Sequence, residues 1–122
     1  MRAQFDAFLR ITTRWHLTQA ERRALLGSPT DERCFHFMRD TVPGITPEEF
    51  ARVRAVIQID AALSACVNDP HERAHWFRTL EMAPPFLGRT PLALMFRGTE
   101  GFKAVADYLA ARQPVAHASG LR

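Results

Sequence analysis

Apolar side chains recur along this chain at the spacing of an α-helix rather than at alternate positions. In the first segment, Phe5, Phe8 and Leu9 share one helical face and predict a helix over about residues 4–15. A wider apolar stripe predicts a long helix over about residues 46–67. No segment alternates between apolar and polar positions as a half-buried strand would. The pattern therefore predicts an all-α protein.

Residues that cap helix ends mark where the helices begin. Thr18 and Glu21 have the spacing of a capping box, in which the two residues satisfy each other's free backbone N–H groups. Thr46 and Glu49 repeat this spacing, with Pro47 at the first helical position. Glycine and proline mark the ends, and the remaining predicted helices cover about residues 18–26, 30–39, 70–77, 92–96 and 102–112.

Breaks in the helical pattern divide the chain into three parts. Residues 42–44 stop the pattern with a proline and a glycine, and they separate a head, residues 1–42, from a second region, residues 46–112. Residues 113–122 have no helical period and few apolar positions. We predict that they form a tail that is either frayed or ordered only when it binds a partner.

Composition excludes several classes of protein. The 122 residues are 47% hydrophobic, which is enough for a packed core without disulfide bonds. No apolar run approaches the roughly 20 residues of a membrane span, and the first residues lack the apolar core of a signal peptide. Cys34 and Cys66 have no close cysteine partner, so we expect buried, reduced thiols in a cytoplasmic protein.

The charge balance is weakly basic and dominated by arginine. The net charge is +3, and only one of the 16 basic residues is a lysine. Arginine presents a rigid, planar fork of donors that suits carboxylates and phosphates, so this bias favours recognition surfaces. A charge of +3 alone does not indicate nucleic-acid binding, which calls for a stronger basic patch.

One pattern resembles a zinc site. His71, Glu72 and His75 match the H-E-x-x-H motif, in which two histidines on a helix bind zinc and the glutamate is a general base. However, Pro70 places His71 in the first turn of its helix, and Arg73 brings a cation among the ligands. We interpret the pattern as a solvated helix start and expect no metal.

Motifs for nucleophilic or cofactor chemistry are absent from the sequence. There is no G-x-S-x-G, C-x-x-C, P-loop or dinucleotide fingerprint. Asp60 interrupts the apolar stripe of the long helix, and we expect it to form a buried ion pair with Arg54, Arg73 or Arg89. These observations predict a protein that is not an enzyme and that needs no cofactor.

The head has the spacing of a helix-turn-helix, with residues 30–39 as the recognition helix. Against DNA binding, Asp31 and Glu32 fall where that helix would approach the phosphates. A simple helical hairpin explains the pattern equally well. If the head binds DNA, the contacts come from Ser28, Thr30, Arg33, His36 and Arg39.

The second region carries a spaced run of aromatic, proline and glycine residues. It reads Trp76-Phe77, then Pro84-Pro85-Phe86-Leu87-Gly88-Arg89-Thr90-Pro91-Leu92, then Gly101, Val105 and Leu109. The double proline predicts an extended segment that exposes Phe86 and Leu87. Over residues 48–112, the run resembles the toxin-binding domain of the Xre/MbcA/ParS antitoxin family, and residues 15–27 look like the start of its Xre-type head.

This resemblance implies an antitoxin of a type II toxin–antitoxin system. Its partner would be a RES-domain toxin, an NAD-using protein similar in fold to ADP-ribosyltransferases, and the C-terminal region would cover the toxin's active site. The head would bind the operon's promoter, and the chain would form a homodimer or a hetero-oligomer with the toxin. The implied toxin-binding residues are Phe86, Leu87, Arg89, Arg112, Val115, His117 and Arg122. The alternative is a stand-alone helix-turn-helix repressor.

Overall fold

The computed structural model describes residues 2–27 and 46–113, and about two thirds of these residues are helical. No strand occurs among them, and one isolated antiparallel bridge joins Glu81 to Arg89. The all-α prediction is therefore confirmed. The helices are α1 (Arg2–Arg14), α2 (Gln19–Leu25), α3 (Pro47–Cys66), α4 (Pro70–Trp76), α5 (Pro91–Met95) and α6 (Thr99–Ala110).

Both predicted capping boxes are present. The hydroxyl of Thr18 accepts a hydrogen bond from the Glu21 N–H at 3.1 Å, and the Glu21 carboxylate accepts one from the Thr18 N–H at 2.8 Å. The same pair of bonds joins Thr46 and Glu49 at the start of α3. Because a capping box involves only residues three apart, its sequence pattern locates the start of a helix accurately.

Helix α3 lies at the centre of the described part of the chain, and α1 and α6 pack against it. The buried apolar side chains of α1, α2, α3, α5 and α6 form one hydrophobic cluster. Thus the two stretches on either side of residues 28–45 share a single core. Within the described stretches, no helix is both long and apolar enough to cross a membrane.

The side chain of Arg52 on α3 fills a narrow space between two glycines. Its guanidinium would lie 3.3–3.5 Å from a Cβ added at either Gly27 or Gly98, and both glycines have a positive φ. It also donates to the carbonyl of Leu25 and forms an ion pair with Glu48. Arg52 therefore connects the end of α2 to the start of α6.

Two predicted local features are wrong. Residues 84–88 are not extended but form a turn, in which the N–H groups of Phe86 and Leu87 both donate to the carbonyl of Ala83. Asp60 pairs with none of the three expected arginines. It instead forms an ion pair with Arg14 at 3.1 Å and accepts a hydrogen bond from the indole of Trp15 at 3.2 Å.

Two of the expected partners of Asp60 make other contacts. Arg73 donates to the backbone carbonyls of Val67 and Asn68, and Arg54 lies over the ring of Phe50. The actual partners, Arg14 and Trp15, lie at and just after the end of α1, about 45 positions earlier in the chain. Such a pairing depends on how α1 packs against α3, which the local sequence pattern does not contain.

Candidate partner-binding surface

Three large apolar side chains are exposed in the loop between α4 and α5. The exposed fractions are 68% for Leu80, 77% for Met82 and 66% for Leu87. We call these three residues the apolar patch. A Cβ added at Gly88 would lie 3.8 Å from the sulfur of Met82, which brings Met82 next to the chain segment that carries Leu87.

The loop that carries the patch has a defined backbone. The Gly88 N–H donates to the Glu81 carbonyl at 2.7 Å, and the Glu81 N–H donates to the Arg89 carbonyl at 3.1 Å. Leu87 has a φ of 50°, a left-handed conformation that costs a non-glycine residue about 1–2 kcal/mol. Because the surrounding hydrogen bonds hold this conformation, the exposed position of Leu87 is built into the loop.

An ion pair fixes the base of the loop to the N-terminal helices. The guanidinium of Arg78 donates to both carboxylate oxygens of Glu21 at 2.8 Å and to the carbonyl of His16 at 3.0 Å. Hydrogen bonds from Arg78 lower the pKa of Glu21 to about 2, although partial burial opposes this shift. At the other end, the Leu92 N–H donates to the Phe77 carbonyl at 3.1 Å. The loop is therefore held at both ends.

A row of aromatic rings lies beneath this surface. Phe86 contacts Tyr108 edge to face at 4.7 Å between centroids, and Trp76 stacks on Tyr108 at 6.3 Å. At the inner end, the ring of Phe77 is 3.9 Å from that of Trp15. The prediction that the segment exposes Phe86 is wrong, because its side chain is fully buried in this row. Phe86 supports the surface from below.

No family model, no curated protein and no solved structure matches this chain. Of the predicted toxin-binding residues, Leu87, Arg89 and Arg112 are exposed, and the Arg112 guanidinium lies 3.7 Å above the ring of Tyr108. Tyr108 links Arg112 to Phe86, and thus to the loop of the apolar patch.

The chain leaves α6 along a fixed path. The side-chain amide of Gln113 donates to the carbonyls of Ala62 and Leu109 and to the sulfur of Cys66. Cys66 is a free thiol and is half-buried rather than buried as expected. These contacts hold the first predicted tail residue against α3.

Several predicted positions lie outside the described residues. These are the DNA-contact candidates Ser28, Thr30, Arg33, His36 and Arg39, the second cysteine, Cys34, and the tail candidates Val115, His117 and Arg122. Sequence reasoning also missed Leu80, Met82 and Tyr108. Leu80 and Met82 follow a short helix without any period, so no sequence signal distinguishes them from core residues. Tyr108 matches the helical spacing of α6, but nothing in the sequence marks it as a support for Arg112.

The H-E-x-x-H residues lie together on the surface of α4. His71, Glu72 and His75 are all exposed, and the Asp69 carboxylate caps the helix by accepting from the His71 N–H. Among residues 2–27 and 46–113, no group of three or more potential ligands is arranged to hold a metal ion. Two imidazoles in the first turns of a short helix do not make the closed tetrahedral site that zinc prefers.

Proposed function

We propose that this chain is an antitoxin that neutralises a RES-domain toxin by binding it directly. The observation that carries the proposal is the apolar patch, three large and exposed apolar side chains on a loop held at both ends. Met82 and Leu87 lie on neighbouring segments of this loop, and exposed apolar groups that cluster in this way mark protein-binding sites. The patch also lies within the run of residues that resembles the toxin-binding domain of the Xre/MbcA/ParS family.

A braced loop is suited to a tight protein interface. Ordering a mobile loop on binding costs about 0.5–1.5 kcal/mol per immobilised side chain, and a preformed loop avoids part of this cost. Leu87 is held outward by its left-handed backbone, and Met82 adapts to an irregular partner surface because its side chain is unbranched. In our proposal these two residues form the apolar centre of the interface.

Exposed arginines flank this proposed centre. Arg89 follows the patch, and Arg112 is oriented by its stacking on Tyr108. An NAD-using toxin binds an anionic cofactor, and a guanidinium matches the geometry of phosphate oxygens. We propose that Arg112 and the tail residues Val115, His117 and Arg122 cover the toxin's NAD site, and that Arg89 lies at the rim of the interface.

Co-expression with the neighbouring open reading frame tests this function. The proposal predicts that the neighbour alone stops growth and lowers cellular NAD, and that this chain restores both and co-purifies with it. If the neighbour is harmless or ignores this chain, the antitoxin proposal fails. Binding to the chain's own upstream DNA in a gel-shift assay would then favour the alternative, a stand-alone helix-turn-helix repressor.

Matched variants test the surface. Met82→Gln combined with Leu87→Asn removes the apolar centre and should weaken toxin binding at least tenfold, which is a typical loss for central interface residues. Arg89→Gln should weaken binding less than the double variant does. Arg10→Gln removes the same group from an exposed arginine on α1 and should leave binding unchanged. Equal binding by the double variant and the wild type would exclude the patch as the interface.

A further inference from the structure

We propose that a cavity beside α4 binds the side chain of an arginine from a partner protein. The cavity is a surface pocket of about 400 Å³ that is broadly open to solvent, and it is lined by Val67, His71, Glu72, His75, Trp76 and Thr79. These residues belong neither to the apolar patch nor to the tail. The inference therefore goes beyond the proposed function and does not depend on it.

The aromatic wall of the cavity is rigid. Trp76 is half-buried, and its ring contacts Phe77, Phe86 and Tyr108 on its other sides. An indole packed against three other rings loses little further side-chain entropy when a ligand binds beside it. Tryptophan is the best partner for a cation among the aromatic residues, and guanidinium groups are the cations most often found over such rings.

The cavity also holds a carboxylate that has no ion-pair partner among the described residues. Glu72 is exposed at the cavity wall, and the nearest arginines along the chain are engaged elsewhere. Arg73 donates to the carbonyls of Val67 and Asn68, and Arg78 forms its ion pair with Glu21. Glu72 thus supplies an available negative charge within a protein whose net charge is weakly positive.

The other lining groups favour a long side chain with a charged end. Val67 offers an apolar contact for a methylene stem. The hydroxyl of Thr79 is already used, because it donates to the carbonyl of His75 at 3.0 Å. The imidazoles of His71 and His75 complete the lining, and both are exposed. The aromatic side chain, the apolar contact and the carboxylate match arginine, whose planar group both stacks on an indole and pairs with a carboxylate. A lysine would make the ion pair but would lack the planar stacking.

Titration of the full chain with N-acetyl-L-arginine amide tests this site. The readout is the indole N–H resonance of Trp76 in an NMR spectrum, and Trp15 is an internal reference because it is only 2% exposed. We expect a saturable shift at Trp76 but not at Trp15. The neutral isostere N-acetyl-L-citrulline amide should cause no saturable shift, because it keeps the planar shape but lacks the charge and has a carbonyl oxygen in place of one NH₂ donor group.

Two glutamate variants identify the counter-ion. Glu72→Gln should raise the Kd for the arginine probe about two- to fivefold, the range for a solvent-accessible ion pair. Glu100→Gln removes a carboxylate from a different cavity on α6 and should leave the Kd unchanged. Equal binding of the citrulline probe, an unchanged Kd in Glu72→Gln, or no saturable shift at Trp76 would each overturn the proposal. None of these outcomes bears on toxin neutralisation, so the two proposals fail separately.

Discussion

At Gly101, α6 passes so close to α5 that the fold leaves no room for a side chain. A Cβ built at this position would overlap the carbonyl oxygen and carbon of Leu94. Backbone atoms cannot move aside as the end of a flexible side chain can. The close approach of α5 and α6 therefore explains why position 101, in the first turn of α6, is a glycine.

Gly101→Ala should destabilise the protein by about 3 kcal/mol, at the upper end for overpacking, because α5 and α6 must separate to admit the methyl group. The free energy of unfolding from urea titrations measures this loss. Ala110→Ser, at an exposed position on the same helix, should change it by less than about 0.5 kcal/mol. A Gly101→Ala variant as stable as the wild type would mean that the two helices are not packed this closely.

The Glu21–Arg78 ion pair makes stability depend on pH in the acid range. The pKa of Glu21 is lowered from its ordinary value of 4.5 to about 2, mainly by hydrogen bonds from Arg78. A lowered pKa in the folded state stabilises the protein above pH 4.5, and this contribution is lost as the pH falls from 4.5 towards 2.

Glu21→Gln should therefore lower the free energy of unfolding by about 1 kcal/mol at pH 7, because the pair is partly exposed to solvent. Glutamine can still accept the capping-box hydrogen bond from Thr18, so the variant mainly removes the charge. The difference from the wild type should shrink as the pH is lowered from 4.5 to 2. A difference that stays constant over this range would argue against the ion pair, and Glu100→Gln serves as the exposed control.

Among the structural elements, helices were predictable and the loop was not. The starts of α2 and α3 follow from capping boxes, and the helix that begins at Pro91 follows from the Thr90 cap, whose hydroxyl accepts from the Ala93 N–H. In each of these three cases, the residues that form the cap lie within four positions of one another in the chain. The turn at residues 84–88 depends on bonds between Glu81 and the Gly88–Arg89 segment, which no local preference of the prolines specifies.

The backbone conformation of Leu87 also predicts an unusual effect of a substitution there on the free energy of unfolding. Asparagine adopts the left-handed conformation more readily than leucine does, and the leucine side chain is mostly exposed. Leu87→Asn should therefore leave the free energy of unfolding unchanged or raise it by up to about 1 kcal/mol. Leu80→Asn, which gains no such backbone benefit, should stay within about 0.5 kcal/mol of the wild type. A clear loss of stability in Leu87→Asn would show that Leu87 packs in the fold rather than serving a partner.

At the scale of the whole molecule, a few polar contacts join segments that are distant in the chain. Arg52 joins the ends of α2 and α6, Arg14 on α1 pairs with Asp60 on α3, and Arg78 joins the loop to α2. The sequence shows that these residues are charged but not which partners they meet. This is why the candidate site was predicted only in part, with Leu87 correctly exposed and Phe86 wrongly so.

Replacing Arg52 by methionine tests the connection between α2 and α6. The variant keeps an unbranched stem but loses the hydrogen bonds to Leu25 and Glu48, so we expect a loss of about 2 kcal/mol. Arg54→Met on the exposed side of the same helix loses only a contact with the Phe50 ring and should cost less than about 1 kcal/mol. Thermal and urea unfolding of both variants would measure the difference. Similar losses in the two variants would show that Arg52 has no special role.

The space around Arg52 has an evolutionary consequence. Gly27 and Gly98 each have a positive φ, and the Arg52 guanidinium lies at contact distance in front of each. Natural selection should therefore retain all three residues together or replace them together. Relatives too divergent for ordinary sequence comparison should still carry a glycine, an arginine and a glycine at equivalent structural positions, and a chain that has lost the arginine should tolerate larger residues near the two glycines.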